Sequence, residues 1–300
     1  MSEILVPPFH ISYEGKDADK HFMKAHQLGE SIAGASRLYA NVAHYCLHGS
    51  VAEPKQKKQV VCYVRPPVEG SFEYLLFIAA LAPHGNLLNE IFRGGVDFLV
   101  KNVASSIKKL WTKPSEVENV VSRLADVIEK QVSQGDNGLA MVLANGLIKA
   151  HSDQSALMGK LIDNLPLLAE RTRPYAREMV SPVGDTCDSM TQFAHTDHAI
   201  NIDESEAEVI RGGYEMEVDS MQEYRCRRIT EVNVENGHCI LEIGDSGRFV
   251  PGRISDPAIK LPNNIYTTAL NNQTPITVIA KAIKKNGAVH QLHISDAKNG

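Results

Sequence analysis

The pattern of hydrophobic and polar residues predicts a strand, a long helix and a hairpin at the start of the chain. Apolar and polar residues alternate over 9–13, which is typical of a β-strand. Over 17–48 the apolar and small residues recur every three to four positions, the spacing of one buried helix face. Two β-rich runs, 60–65 and 70–81, are separated by prolines and a turn signal and predict a hairpin.

The most apolar stretch of the chain is the run from Tyr74 to Ala82, which is closed by Pro83. A membrane helix needs about 20 apolar residues, so a run this short cannot span a bilayer alone. We interpret it as a strand that helices cover on both faces. A pocket wall and a membrane-inserting segment within residues 71–111 are the alternatives.

Helical spacing dominates the part of the chain that follows. Apolar stripes predict helices over residues 88–110, from 115 onward, over 139–149 and over 154–171. A break in the first of these helices is expected at Gly94 and Gly95, because glycine favours helix ends and turns. The helical spacing stops near Met179, which predicts an N-terminal α+β domain over 1–179.

Short strand-length runs and turns fill residues 180–300 and predict a second, β-rich domain. Asn236-Gly237 and Asn286-Gly287 each lie between β-rich flanks and predict hairpins with type I′ turns. Five or six short strands in this space indicate a small antiparallel barrel or sandwich of OB or SH3-like size. The predicted fold class is therefore α+β, a strand, helix and hairpin with further helices, followed by a small β-barrel or sandwich domain.

Composition narrows the class of protein. The net charge is -5, so no overall positive field draws the chain onto nucleic acid or an anionic membrane. Five scattered cysteines without a C-x-x-C pair favour a reducing cytoplasm, and Cys187 is either a nucleophile or an inert thiol. The N-terminus lacks the pattern of a signal peptide. Nucleotide-, dinucleotide- and esterase-type glycine motifs are absent from the sequence, so we predict no cofactor.

The densest group of potential metal ligands lies in the stretch AHTDHAINIDE, which contains His195, Asp197 and His198. Imidazoles and carboxylates at this density can bind a divalent metal and activate its water. The stretch partly resembles the H-x-H-x-D-H motif of the metallo-β-lactamase family, with Phe193 at the position of the first histidine. The two interpretations are a metal-dependent hydrolase or nuclease centred on these residues, and a solvated loop between domains.

A second candidate site lies in the β-rich domain, where basic and aromatic residues gather. Small barrels bind nucleotides or single strands with such groups. The candidate ligand-binding residues are Tyr224, Arg225, Arg227, Arg228 and Phe249. Acidic residues are as frequent as basic ones in this part of the chain, so a mixed solvated surface is the alternative.

Two stretches near the start carry a family resemblance. ISYEGKDADKHFMKAHQLGESIAG and VRPPVEGSFEYLL resemble an uncharacterised bacterial family that begins with a strand, Y-x-G, a helix bearing L-G-x-S-I-x-G, and G-S-F-E on a strand. Members of that family are found among mobile-element and anti-phage defence genes. The resemblance covers roughly the first 100 residues, implies a role in defence and brings no catalytic residues.

Together these observations predict a non-enzymatic cytoplasmic binding or effector protein, a subunit of an anti-phage defence system. We expect its N-terminal domain to contact a second copy of the chain, as a homo-oligomer, or a protein partner. The β-rich domain is expected to bind a ligand, with nucleotides and nucleic acids as the favoured classes, and no constitutive membrane span is expected. The other hypotheses are the metal-dependent hydrolase or nuclease, and membrane damage by residues 71–111.

Overall fold

A computed structural model describes residues 3–53, 60–65, 73–80, 90–150, 154–212, 216–244, 247–285 and 287–300. They divide into two compact units, Met1–Arg211 (unit 1) and Gly212–Gly300 (unit 2), each with a hydrophobic core of its own. Helices and strands occur in both units, so the fold class is α+β, as predicted. Within the described ranges, no helix has the length and apolar character needed to cross a membrane.

Unit 1 combines one sheet with a layer of helices. Its strands are β1 (Glu3–Glu14), β2 (Val60–Arg65), β3 (Glu73–Ala80), β4 (Ser189–Ala194) and β5 (Ile200–Asp203). Its helices are α1 (Ala25–His48), α2 (Glu90–Thr112), α3 (Val117–Ser133), α4 (Asn137–Ala150), α5 (Gln154–Asp163), α6 (Leu165–Met179) and α7 (Glu204–Gly212). The predicted first strand and long helix are both present. The strand begins earlier than predicted and the helix begins later.

The sheet of unit 1 has the strand order β2-β3-β1-β4-β5, and each neighbouring pair is antiparallel. The β2–β3 pair is the predicted hairpin. On β3, Tyr74, Leu76 and Ile78 are buried in the core beneath the helices, while Leu75 and Phe77 on the other face are half-buried. The apolar run is thus a strand, as predicted, but its burial alternates from Glu73 to Ile78, with Ala79 buried as well, so one face is covered along its length and the other only in part.

The membrane-inserting alternative concerned residues 71–111, of which 71–72 and 81–89 lie outside the described residues. In the described remainder, β3 is an interior strand of the sheet and α2 packs in the core. Phe92, Leu99 and Val103 on α2 are among its buried side chains. Most apolar residues of the described remainder therefore form part of the core of unit 1, and Ile91 is exposed.

Helix α2 runs without interruption through Gly94 and Gly95, so the predicted break is wrong. The reason for a glycine here is a close helix contact. A Cβ atom added at Gly95 would lie 2.4 Å from the carbonyl carbon of Gly138 on α4, whereas one at Gly94 would meet nothing within 4 Å. Gly95 therefore allows two helix backbones to approach, and Gly94 has no such role.

The division between the units lies at residues 211 and 212, and the predicted boundary at 179 and 180 differs from it. Two features join the segment after 179 to unit 1. Strand β4 pairs with β1, and the guanidinium of buried Arg173 on α6 donates to the carbonyls of Val209 at 2.8 Å and Ile210 at 3.3 Å. The helical periodicity ends at 179, but the hydrophobic core continues through β4, β5 and α7.

Unit 2 is a small β-barrel. Its strands are β6 (Met216–Val218), β7 (Gln222–Val232), β8 (His238–Ile243), β9 (Arg248–Ile254), β10 (Ile276–Lys285) and β11 (Ala288–Asn299), and its helix is α8 (Ile265–Asn272). Five strands pair in the order β7-β8-β9-β11-β10, and β10 pairs with β7 again, which closes the barrel. Tyr266 and Ala269 of α8 are buried in its core.

This connectivity, with α8 between the third and fourth strands of the barrel, is that of the OB-fold. The predicted barrel and its size are confirmed. One detail differs, since the β9–β11 pair is parallel and not antiparallel. A helical crossover between β9 and β10 allows the chain to return and run β11 in the same direction as β9.

Both predicted hairpins of unit 2 are present, but the turn type at the first is wrong. The β7–β8 connection spans residues 233–237, and of its residues Gly237 has a left-handed backbone, with φ of 74°. A type I′ turn needs two such residues in succession, and Asn236 is not left-handed. In the β10–β11 hairpin Lys285 pairs with Ala288; Asn286 lies outside the described residues.

Candidate functional site

The first candidate site is the outer surface of the barrel along β7, β8 and β9. Cys226 on β7 pairs with Ile243 on β8, and Arg228 pairs with Glu242, the neighbour of Ile243. Arg227 is therefore the extra residue of a β-bulge. Because of this bulge, Arg227 and Arg228 both lie on the exposed side, while Cys226 is buried in the barrel. Two consecutive arginines thus face solvent from one strand.

Arg228 is held between a buried carboxylate and an aromatic ring. Its Nε donates to Glu242 Oε2 at 2.6 Å, and its guanidinium carbon lies 5.6 Å from the ring centroid of Phe249. Glu242 is buried, Phe249 is 49% exposed and Arg227 is 73% exposed, with its Nη1 3.9 Å from Glu242 Oε1. One buried carboxyl group therefore fixes the arginine beside an exposed aromatic face.

Four of the five predicted ligand-binding residues share this surface or its edge, and Tyr224 does not. Arg225 is exposed on β7 next to Arg227 and Arg228. Tyr224 pairs with Val278 of β10 and packs partly buried against the barrel core. Alternation along a strand sends Tyr224 and Arg225 to opposite faces, so the two could not both face one ligand.

Polar residues extend this surface toward the other end of β8 and β9. His238 on β8 pairs with Arg253 on β9, and both border a cavity of about 240 Å³ together with Asn236 and Gln291. We define the barrel face as the surface formed by Arg225, Arg227, Arg228, Phe249, His238 and Arg253. Strands two and three of an OB-fold and the loop between strands one and two form its usual ligand-binding surface, and here these are β8, β9 and residues 233–237.

The stretch around His195 forms a second site, in unit 1. Between β1 and β4, His10 pairs with Ala194 and the next residue of β1 pairs with Gln192, so Phe193 is the extra residue of a bulge. Phe193 is buried in the core with a left-handed backbone, and His195 is left-handed as well, with φ of 64°. Such conformations are costly for residues with a Cβ and are concentrated at functional sites.

The bulge brings His195 to a carboxylate that it shares with a second histidine. His195 Nε2 donates to Glu73 Oε1 at 2.8 Å, and His10 Nδ1 donates to Glu73 Oε2 at 3.1 Å. The two imidazole centroids are 5.5 Å apart and the rings are nearly perpendicular. Strand β1 contributes His10, strand β3 contributes Glu73, and the turn that follows β4 contributes His195.

Glu73 is ionised at neutral pH. Partial burial alone would raise the pKa of its carboxyl, but the hydrogen bond and charge of His195, together with those of His10, outweigh burial and lower that pKa below its usual value. The carboxylate therefore accepts from both rings. This leaves the second nitrogen of each ring, Nε2 of His10 and Nδ1 of His195, on the side away from the carboxylate.

The other two residues of the predicted metal site do not join His195. Asp197 and His198 are exposed in the turn between β4 and β5, and the His198 amide donates to the Thr196 hydroxyl. Across the described part of the chain, no group of three His, Cys, Asp or Glu residues could hold a metal ion. The metal-dependent hydrolase or nuclease at His195, Asp197 and His198 stays a prediction.

The acidic end of the same stretch starts a helix. The carboxylate of Asp203 accepts from the Glu206 amide at 3.0 Å, and the Asp203 amide donates to the Glu206 carboxylate at 3.4 Å. This reciprocal pair is a capping box, which satisfies amides that the first turn of α7 leaves unpaired. Asp203, an acidic residue of this stretch, thus has a structural role at the start of α7.

Cys187 is buried and its thiol is not activated. Burial raises its pKa to about 12, and the same cause raises the pKa of Cys62, Cys226 and Cys239 to about 12. We expect the native protein to react slowly with an aromatic disulfide reagent at pH 7.5 and to release five equivalents of thiolate product once denatured. Rapid labelling of one thiol in the native protein would contradict this assignment.

The fold and the two sites define a class of protein, a two-unit α+β protein with an OB-type barrel in unit 2 and a histidine pair at the five-stranded sheet of unit 1. Residues 9–211 match a family model described as "Domain of unknown function (DUF7946)", and the chain belongs to that family. Residues 220–298 match a second model, "Family of unknown function (DUF7947)". The two matches coincide closely with units 1 and 2. Neither a curated protein nor a solved structure matches the chain.

Proposed function

We propose that the protein binds single-stranded nucleic acid on the barrel face of unit 2. The observation that carries this proposal is the exposed Phe249 ring with the Arg228 guanidinium beside it, on the surface that OB-folds use for ligands. An exposed aromatic ring can stack on any base, and neighbouring arginines can contact phosphates. Binding of this kind needs little sequence information and no metal.

The charges of the barrel face support a polyanionic ligand. Arg225 and Arg227 are exposed, and Arg228 is half-exposed beside the carboxylate of Glu242. The carboxylates beside this surface are those of Glu242 and of Glu231, which lies 3.6 Å from His238 Nδ1, and the arginines of the barrel face outnumber them. Basic and acidic residues are nearly equal in number over the whole β-rich domain, but a ligand that binds the barrel face interacts with the local excess of positive charge there.

Fluorescence anisotropy with a labelled DNA oligonucleotide of about 12 nucleotides tests the proposal, since OB-folds cover about 4–16 nucleotides. Phe249→Ala is expected to weaken binding by about 5- to 100-fold, the loss of one stacked base. Arg227→Ala is expected to lower the slope of log affinity against log salt by about 0.7, the value for one phosphate contact on a single strand.

Phe22→Ala is the matched control, because Phe22 is an exposed phenylalanine of unit 1 outside the barrel face, 70% exposed against 49% for Phe249. It should bind like the wild type. Absence of binding by the wild-type protein at low salt would overturn the proposal, and so would equal losses in Phe249→Ala and Phe22→Ala. Preference for a duplex of the same sequence would also contradict it, because a paired base cannot stack on Phe249.

The wider roles predicted from the sequence accompany this proposal. A cytoplasmic location, a homo-oligomer or protein partner, and a place in anti-phage defence stay predictions. A nucleic-acid ligand would be compatible with a defence role, because single-stranded nucleic acid is exposed when a foreign element replicates or is transcribed.

A further inference from the structure

We propose that the histidine pair of unit 1 cleaves single-stranded RNA by general acid–base catalysis, without a metal. The proposal rests on the proposed function in one respect, that single-stranded nucleic acid is the ligand of this chain. Its own evidence is separate and lies entirely in unit 1. It consists of the geometry of His10, Glu73 and His195 and of the sheet surface beside them.

That surface is the face of the sheet opposite the helices. Residues that pair directly across two strands lie on the same face, so the pairs Ser12–Glu73 and His10–Leu75 place β1 and β3 side by side here. The pairs Arg65–Leu75 and Tyr63–Phe77 continue the same face onto β2. We call this surface the second sheet face.

Aromatic rings and an arginine lie on the second sheet face beside the histidine pair. Tyr63 and Phe77 stack with ring centroids 5.2 Å apart, and the Arg65 guanidinium lies 5.7 Å from the Phe77 centroid. Tyr63 is 39% exposed and Arg65 is exposed. Aromatic residues on the open face of a sheet are a common platform for bases of single-stranded RNA.

The aromatic residues and the histidine pair lie at different positions along β3. Glu73 and Phe77 are four residues apart on one strand, which separates them by about 13 Å at the usual strand rise. A single strand of a few nucleotides laid along this face could therefore stack a base on Tyr63 and place a phosphate near the histidines. The second sheet face can therefore hold both the base and the scissile phosphate.

The histidine pair has the two proton carriers that RNA transesterification needs. A neutral imidazole removes the proton from a ribose 2′-hydroxyl, whose oxygen forms a bond to phosphorus. The bond from phosphorus to the 5′-oxygen breaks, and the other imidazole, protonated, gives its proton to that oxygen. The products are a 2′,3′-cyclic phosphate and a 5′-hydroxyl, with no electron transfer and no co-reactant.

Glu73 acts in this scheme as a positioning residue. One carboxylate holds one nitrogen of each ring, which fixes both ring orientations and leaves the opposite nitrogens for substrate. The reaction needs no nucleophile from the protein. The Thr196 hydroxyl, which is next to His195 in sequence, donates to the Phe193 carbonyl and has no role in the scheme.

The experiment is cleavage of an end-labelled single-stranded RNA in excess EDTA, with DNA of the same sequence in parallel. Wild-type protein is expected to cut the RNA, leave the DNA intact and yield a 2′,3′-cyclic phosphate end, identified by mass spectrometry. His10→Ala and His195→Ala are each expected to lower the rate about 100-fold or more, the usual contribution of one general acid or base. Added imidazole should restore part of the activity of His195→Ala, because 67% of the His195 side chain is exposed.

Two further variants separate catalysis from structure. Glu73→Gln is expected to lower kcat with little change in KM, because a neutral amide holds the two imidazole rings less firmly than the carboxylate does. Tyr63→Ala should raise KM instead. His198→Ala is the matched control, an exposed histidine on the same turn outside the histidine pair, and should cleave like the wild type. The fluorescence of buried Trp111 confirms that unit 1 of each variant is folded.

Each outcome of this experiment supports or overturns a specific proposal. Cleavage that EDTA abolishes, or that acts equally on DNA, would overturn the proposal, and so would equal activity of wild type and His195→Ala. If the RNA stays intact while the DNA oligonucleotide binds the barrel face, this inference fails and the proposed function stands. If the RNA is cut but the DNA oligonucleotide does not bind the barrel face, this inference stands and the proposed function fails.

Discussion

Gly34→Ala is expected to lower the free energy of unfolding of unit 1 by about 3 kcal/mol, at the upper end of the usual cost of overpacking. A Cβ atom at Gly34 would lie 2.5 Å from both the Tyr175 carbonyl oxygen and the Met179 amide nitrogen on α6. Both are backbone atoms, so no side chain can rotate away to make room. Helices α1 and α6 would have to separate, which would disturb the centre of the core.

Gly29→Ala provides the matched control within the same helix. A Cβ atom at Gly29 would meet nothing within 4 Å, so alanine there should stabilise the helix by up to about 1 kcal/mol. Urea unfolding followed by the fluorescence of Trp111, the only tryptophan, reports on unit 1 alone. Similar midpoints for the two variants would show that α1 and α6 are not packed as closely as described.

Arg173→Met is expected to cost unit 1 about 3 kcal/mol, because it removes charged donors from two buried carbonyls and leaves those carbonyls with fewer partners. Arg173 is buried, and its guanidinium donates to Val209 and Ile210 at the end of α7. The last carbonyls of a helix carry a partial negative charge, which a cation stabilises. Methionine keeps most of the apolar volume, so the measured loss reports mainly on the hydrogen bonds.

Arg177→Met is the control for this second variant. Arg177 lies one turn further along α6 and donates to the same Ile210 carbonyl at 3.4 Å, but its side chain is exposed. Its replacement should cost less than about 1 kcal/mol, as for most surface polar interactions. Urea unfolding with the same tryptophan signal compares the pair. Equal losses would mean that burial of Arg173 adds nothing to the attachment of α7.

The first elements of this chain were predicted well because the patterns that specify them involve residues close together in sequence. The alternation in β1, the helical stripe of α1 and the β2–β3 hairpin each depend on neighbours in sequence. Strands β4 and β5 are short, and β4 pairs with β1 from the far end of unit 1 and carries β5 on its other edge, so no nearby residue signals that these strands join the sheet. For this reason the end of the helical periodicity was predicted correctly, whereas the predicted end of the first domain differs from the end of unit 1.

The candidate sites show the same limit. Arg227, Arg228 and Phe249 were predicted together because arginines and an aromatic residue recur in neighbouring strands. The bulge at Arg227, which puts two consecutive arginines on one face, has no marker in the sequence. Strict alternation would send one of them into the barrel.

His195 was predicted as a site residue, but with the wrong partners. The sequence groups it with Asp197 and His198, which are near in the chain, whereas its contacts are Glu73 on β3 and His10 on β1. One signal could have indicated them. His10 and Glu73 are polar residues at alternate positions of two predicted strands, and each would face the same side of the hairpin sheet.

Closure of the barrel in unit 2 limits how this chain can associate through strand pairing. Strands β7 to β11 pair around a complete circuit, so in the described part of unit 2 the open edge in the strand order is that of β6, three residues long. The sheet of unit 1 instead ends in β2 and β5. A strand added from another molecule, including the growing edge of an aggregate, would therefore have its longest template at β2, and charged or proline substitutions there should protect the protein during concentration and storage.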